Sequence, residues 1–191
     1  MFEHVTILLS FVFAIALTHL LSSATELVVA RARVRFSGLH AVWMLNAGVG
    51  LLVNWMGIWQ LSILRRWSVG DVLLQFVPAV LQYFTCSLVS IRPEPGEPID
   101  MAAFFERQRP LIGGAFAAMM LGSMIQNYVY RDTSAGGIAP TDWTIEDLLC
   151  APMLISALVA GWARPRWLQW AAALVMLFSE SWFLLTFAVT D

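Results

Sequence analysis

Apolar positions fall in six long runs, over residues 5–30, 40–64, 69–91, 111–130, 145–162 and 167–190, with polar or proline-bearing connections between them. Each run is close to the ~20 residues that a helix needs to cross a hydrocarbon core of ~30 Å. None shows the alternation of a barrel strand, and in lipid a lone segment satisfies its own backbone only as a helix. The pattern predicts an all-α, polytopic transmembrane bundle of about six spans, with residues 1–191 as a single transmembrane domain. The first run reads as a retained span. The chain opens Met1-Phe2-Glu3-His4 with no basic start, and its apolar stretch is longer than the core of a secretory signal.

Composition excludes whole classes of function. Hydrophobic residues make up 59% of the chain and charged residues 13%, against about 25% charged in an ordinary soluble domain. A soluble enzyme, a nucleic-acid binder and a disordered chain are ruled out, and the lipid bilayer is the first partner to expect.

The net charge of -2 matters less than where the charges sit. All eleven basic side chains are arginine. The connections after the first, third and fifth runs carry Arg31, Arg33, Arg35, Arg92, Arg107, Arg109, Arg164 and Arg166, whereas the other side has Arg65, Arg66 and Arg131. Basic residues in short loops mark the cytoplasmic side, so both termini are expected outside (N-out/C-out) with the acidic group Asp132, Asp142, Glu146 and Asp147. Arginine without lysine suits a GC-rich bacterial genome, and thus a bacterial inner membrane.

Thr144 followed by Asp147 has the spacing of a capping box at the start of the fifth span. Pro93, Pro95 and Pro98 break the chain on the arginine side. Asp100 then reads as the cap of a short interfacial helix through Arg109, with Met101, Phe104 and Phe105 turned to the membrane; an ordinary loop is the alternative. Most of the nine tryptophans fall near span ends and read as interfacial belts: Trp43, Trp162, Trp167 and Trp170 inside, Trp59, Trp67 and Trp143 outside. Trp55 and Trp182 lie deeper.

Cys86 and Cys150 fall at different depths and should not form a disulfide. No spacing matches a zinc or haem-attachment motif, so no metal and no cofactor is expected. Gly114, Ala118 and Gly122 repeat every four residues in the fourth span, beside Gly113 and Ala117, and make a groove for a close helix partner. Ser156 with Ala160 and Ala157 with Gly161 form a weaker stripe in the fifth. The sequence admits a partner helix from the same chain, a second copy in a homo-oligomer, or another membrane protein.

Candidate chemistry comes from polar residues inside the spans, where such groups are costly. At 1.5 Å per residue, His19, Gln82 and Asn46 lie ~16, ~13 and ~9 Å from the arginine-side ends of their spans and form an inner layer. Ser22, Ser23 and Glu26 extend the His19 face, with Glu26 near enough to pair with Arg31 or Arg33. Asn54, Gln126, Asn127 and Glu180 form an outer layer, and Asn46, Gly50 and Asn54 link the two along the second span. Interhelical hydrogen-bond glue and a pore or polar route are both open for these residues. No histidine shares a level with a nucleophile and an orienting carboxylate, so no enzymatic activity is expected.

Two resemblances follow from particular segments. Val12 to Thr18 is similar to the first helix in prokaryotic relatives of the lysosomal potassium channel, but the Phe-Ser-Asp preceding it there is replaced by Leu8-Leu9-Ser10. That family also starts in the cytoplasm, so none of its pore residues is carried over. Met1 to Thr6, Leu17 to Leu21, and His40 to Asn46 with Trp43 resemble a group of small bacterial six-helix membrane proteins to which no function is attached. Two functions remain: a channel or transporter for ions or small solutes, and a non-catalytic accessory or scaffold subunit of a larger membrane complex. For the orientation, an alkaline phosphatase fused after Asp191 is expected to be active and a fluorescent protein there dark; the opposite pattern would reverse the sidedness.

Overall fold

A computed structural model describes residues 2–63, 67–92, 96–130 and 145–186. Six helices carry them: α1 (Phe2–Val29), α2 (Gly38–Gly57), α3 (Val69–Val89), α4 (Met101–Tyr130), α5 (Ile145–Trp162) and α6 (Arg166–Thr186), with a 3-10 segment at Ile58–Ile63 after α2. Among them α1, α2, α3 and α6 are long and apolar enough to cross a membrane, and α5 has a shorter apolar stretch at Leu148–Trp162. Arg65, Arg66, Arg131, Asp132, Asp142, Trp143 and Thr144, with the side chains of Glu146 and Asp147, lie outside the described residues, and with them the capping box expected there. A capping box does start α3, where Ser68 Oγ accepts from the Asp71 N–H and Asp71 accepts from the Ser68 N–H.

Helix neighbours follow a closed order. α2 packs on α3, α3 on α4, α4 on α5, α5 on α6 and α6 on α2, which makes a five-helix ring, with α1 outside it against α3 and α2. The sequence of α1 explains its position. Its buried residues, Val5, Leu9, Phe13, Ala16, Leu20, Ser23 and Leu27, form one narrow stripe at three- and four-residue intervals. α1 also has the highest mean hydropathy of the four long apolar helices and the smallest buried share, whereas α2 has the lowest hydropathy and the largest. Phe11, Ile15, Val28, Leu111, Phe178 and Leu185 are exposed while Asn46, Gln82, Thr85 and Glu180 are fully buried. Such an inside-out distribution suits a hydrocarbon solvent.

One end of the bundle collects the three arginine-bearing connections. Val34–Arg35 (β1) pairs in parallel with Ile99–Asp100 (β2), Val34 opposite Ile99 and Arg35 opposite Asp100. Arg35 donates to the Asp100 carboxylate at 3.0 Å and Arg33 to the Glu97 carbonyl at 2.9 Å, so Arg31 and Arg33 make no ion pair with Glu26 among the described residues. Asp100 also accepts from the Ala103 N–H at the start of α4, and that bond holds its carboxyl below the ordinary range. The Ala163 carbonyl, between α5 and α6, accepts from both Arg109 and Gln169.

The separate interfacial helix through Arg109 is not formed. α4 runs unbroken from Met101 through Pro110 to Tyr130. Met101 and Phe105 are buried rather than turned to lipid, Phe104 and Phe105 packing on the His40 ring with centroids 5.3 and 6.0 Å away. Trp43 is likewise no belt residue: it is fully buried, edge-on to Phe116. Trp55 and Trp182, the two placed deepest by the sequence, face outward. Both cysteines are free.

The closest helix approach lies within the chain, one residue from the expected stripe. A Cβ on Gly113 would stand 2.6 Å from the Ala157 carbonyl oxygen and 2.6 Å from Gly161 Cα, while one on Gly114 would meet only Trp162 at 4.0 Å. Gly122 faces Pro78 of α3 at 3.6 Å, and Ala118 is only half-buried. The small-residue stripe of α5 is thus the partner of α4. Because the obstacle at Gly113 is backbone, Gly113→Leu is expected to cost about 1–3 kcal/mol or more as overpacking and to lower the melting temperature in detergent. Gly114→Leu should cost less, and equal melting of the two variants would contradict this contact.

Candidate functional site

The interior of the ring holds a polar centre built from α2, α3, α4 and α6. Asn54 of α2 donates to Gln82 Oε1 of α3 at 2.7 Å and lies 3.4 Å from Met119 Sδ of α4. Gln82 donates back across the interface to the Ala47 carbonyl at 3.0 Å and lies 3.5 Å from Cys86 Sγ. Inner-layer Gln82 and outer-layer Asn54 are therefore one hydrogen-bonded unit across the α2–α3 contact.

Glu180 enters this centre from α6. The face that carries it, Gln169, Ala173, Met176 and Glu180, recurs at three- and four-residue spacing and is buried against the ring. Glu180 is fully buried, and neither carboxylate oxygen has a hydrogen-bond partner among the described residues. It lies over bare backbone: a Cβ on Gly50 would stand 2.8 Å from Glu180 Oε1 and 3.8 Å from Gln82 Oε1. Gly50 is the residue that lets the carboxyl reach the α2 surface. Glu180 is ~21 Å along α6 from Arg166 at 1.5 Å per residue, well inside a ~30 Å core. An ionised carboxylate there costs on the order of 2–3 kcal/mol or more without compensation, so the group requires a proton or a cation beside it.

The remaining candidates are not at this centre. Asn46, one turn from Gly50, donates to the Ala173 carbonyl at 3.0 Å, and its Oδ1 has no partner among the described residues. His19 sits on peripheral α1, its ring edge-on to Tyr83 and its Nε2 3.4 Å from the Tyr83 hydroxyl. Gln126 serves the backbone of α3. Pro78 lacks the N–H that would bond the Leu74 carbonyl, and Gln126 Nε2 donates to that carbonyl at 2.8 Å and to Gln75 Oε1 at 3.0 Å. Asn127 Nδ2 lies 3.9 Å from Cys150 Sγ between α4 and α5. No group of three or more His, Cys, Asp or Glu side chains able to hold a metal forms among the described residues.

Sequence reasoning missed three residues that the structure brings into the interior. His40 is fully buried with Nε2 2.8 Å from the Val89 carbonyl, Trp43 is fully buried, and Gln169 is almost so. The spacing of Gln169 from Glu180, about three helical turns on one face, was the available signal.

The contact at Gly50 is testable by a double-mutant cycle. Gly50→Ala should lower thermal stability in the natural chain by crowding the carboxyl, and the loss should shrink by about 0.5–3 kcal/mol in a Glu180→Ala background; purely additive effects would show that the two residues do not touch. No protein-family model, curated protein or solved structure matches the chain, and the functional reading rests on this geometry.

Proposed function

We propose that the protein is a small multi-pass transport protein of the bacterial inner membrane, a channel or transporter that passes a small cation by way of Glu180. In this reading all six helices cross the membrane and the arginine-rich end faces the cytoplasm, as the asymmetry of basic residues predicts. The observation that carries the reading is a fully buried carboxyl whose two oxygens have no partner among the described residues. A residue kept only as helix glue is bonded, as Gln126 is. Trp43, Phe116, Met119 and Met176 fill the interior with no exposed surface, which suits the stepwise passage of one small ion better than a wide aqueous pore.

The alternative is a non-catalytic accessory or scaffold subunit docking through the small residues of α4. Its support is weaker because Gly113 and Gly122 of that helix face α5 and α3 of the same chain. Reconstituted vesicles decide between the two. The wild-type protein is expected to pass protons, potassium or sodium, and Glu180→Gln, which keeps the shape and removes the charge, should reduce that flux by at least about tenfold, ~1.4 kcal/mol on the barrier, with melting unchanged. A wild-type protein that passes none of these ions would put the accessory reading in front.

A further inference from the structure

Among the described residues, buried polar atoms without a partner are concentrated on two neighbouring helices. Six of them lie on the two helices α2 and α6: His40 Nδ1, Trp43 Nε1 and Asn46 Oδ1 on the first, Gln169 Oε1 and both Glu180 oxygens on the second. These helices pack on each other and both begin at the arginine-rich end. On α2 the orphaned residues come three apart and lead to Gly50, over which Glu180 lies. On the far side of Glu180 the pattern stops, because Asn54 is bonded to Gln82 and Gln82 to the Ala47 carbonyl. A buried donor or acceptor left alone costs about 1–3 kcal/mol. Several in succession on two helices that pack on each other, Asn46 and Glu180 directly across their contact, indicate that something able both to donate and to accept bridges them, which describes water.

The chemistry at the end of the seam identifies the ion. A sodium or potassium site needs several free oxygens, and membrane proteins commonly supply them from carbonyls of interrupted helices. Here α2 and α6 run unbroken past Gly50 and Glu180, so their carbonyls are engaged in helix bonds. Only the carboxyl and a few side-chain oxygens remain. A proton needs no more than one oxygen and a bridging partner.

We infer that Glu180 carries a proton and exchanges it with the arginine-rich end of the bundle through water bridging the polar atoms of the α2–α6 seam. The inference deepens the cation-transport reading and rests on it for its use in the cell, but the exchange is measurable without transport. In each step an O–H bond breaks at the donor and a new one forms at the acceptor. The proton lost from the Glu180 carboxyl is replaced from the arginine-rich end, and no electrons change hands. His40 can take part as an acceptor, because its Nε2 proton is directed to the Val89 carbonyl and Nδ1 is left with a lone pair. On α3, the titratable Cys86 lies 3.5 Å from Gln82 Nε2.

The test is infrared spectroscopy of the full chain in lipid nanodiscs during exchange from H2O into D2O. The wild-type spectrum minus that of Glu180→Gln should contain the C=O stretch of a protonated carboxylic acid, and that band should shift down on deuteration. Asn46→Leu, Gln169→Leu and the conservative Trp43→Phe each interrupt the seam and should slow the shift by about tenfold, ~1.4 kcal/mol on the barrier. Met119→Leu, on the other side of the centre, should leave it unchanged. Thermal melting screens the variants for folding, and Trp43→Phe, which removes one N–H and keeps an aromatic ring, decides the matter if the leucine variants do not fold. Absence of the acid band, or exchange equally fast in every folded seam variant, would overturn the inference. Seam-dependent exchange in a protein that passes no ion would uphold it and remove the transport reading, whereas proton flux with seam-independent exchange would do the reverse.

Discussion

Hydrocarbon supplies no hydrogen-bond partner, so a polar group that enters the bundle is costly unless another part of the chain meets it. Much of the arrangement follows from that requirement. Pro78 frees the Leu74 carbonyl of α3, and Gln126 of α4 fills it. The exit of α3 is closed by Ser23 of α1, whose hydroxyl donates to the Ile91 carbonyl and accepts from the Ile91 N–H. Asn46 ties α2 to the Ala173 carbonyl of α6, and Gln82 ties α3 to the Ala47 carbonyl of α2. These bonds are modest one by one, roughly 0.6 kcal/mol each in membranes. They join different pairs of helices: α3 to α4, α1 to α3, α2 to α6 and α3 to α2.

Steric fit supplies what these bonds do not. With lipid as apolar as leucine, helices gain little from hiding hydrophobic side chains, and close backbone approach becomes the attractive force. Gly113 against Ala157 and Gly161 brings α4 and α5 nearly to backbone contact. The parallel pairing of Val34 and Arg35 with Ile99 and Asp100 fastens the outer α1 connection to the start of α4. The result is a buried polar centre surrounded by apolar helix faces, with one ring end bound by arginine contacts.

Against this background Glu180 is the exception that gives the molecule a functional reading. Gln126, Gln82 and Asn54 are bonded by neighbours, while Glu180 is given only the bare backbone of Gly50. Each of these amides has at least one bond and the Glu180 carboxyl has none among the described residues, which places a titratable group where its charge state matters most. The unpaired atoms on α2 and α6 extend from that carboxyl toward a single end of the bundle, which gives the centre a direction.

The sequence by itself determined the helical class, the approximate limits of the helices and the gathering of arginines in alternate connections. These depend on local properties: the length of apolar runs and the charges between them. The start of α3 at Val69 and the end of α5 at Trp162 agree with the apolar pattern for that reason. Glu180 and the Asn46, Gly50 and Asn54 face of α2 were legible as well, since a polar residue in an apolar run stands out. Helix neighbours were not, because hydrophobicity is the same on every side of a lipid-facing helix and carries no record of which face meets which partner. Tertiary packing alone decided that α1 stays outside the ring, that Gly113 rather than Gly114 makes the close contact, and that Met101 and Phe105 turn inward and fuse the expected interfacial segment into α4. It also decided that Gln126 repairs a proline break while Glu180 is left unpaired, because satisfaction of a buried polar group depends on atoms far apart in the chain.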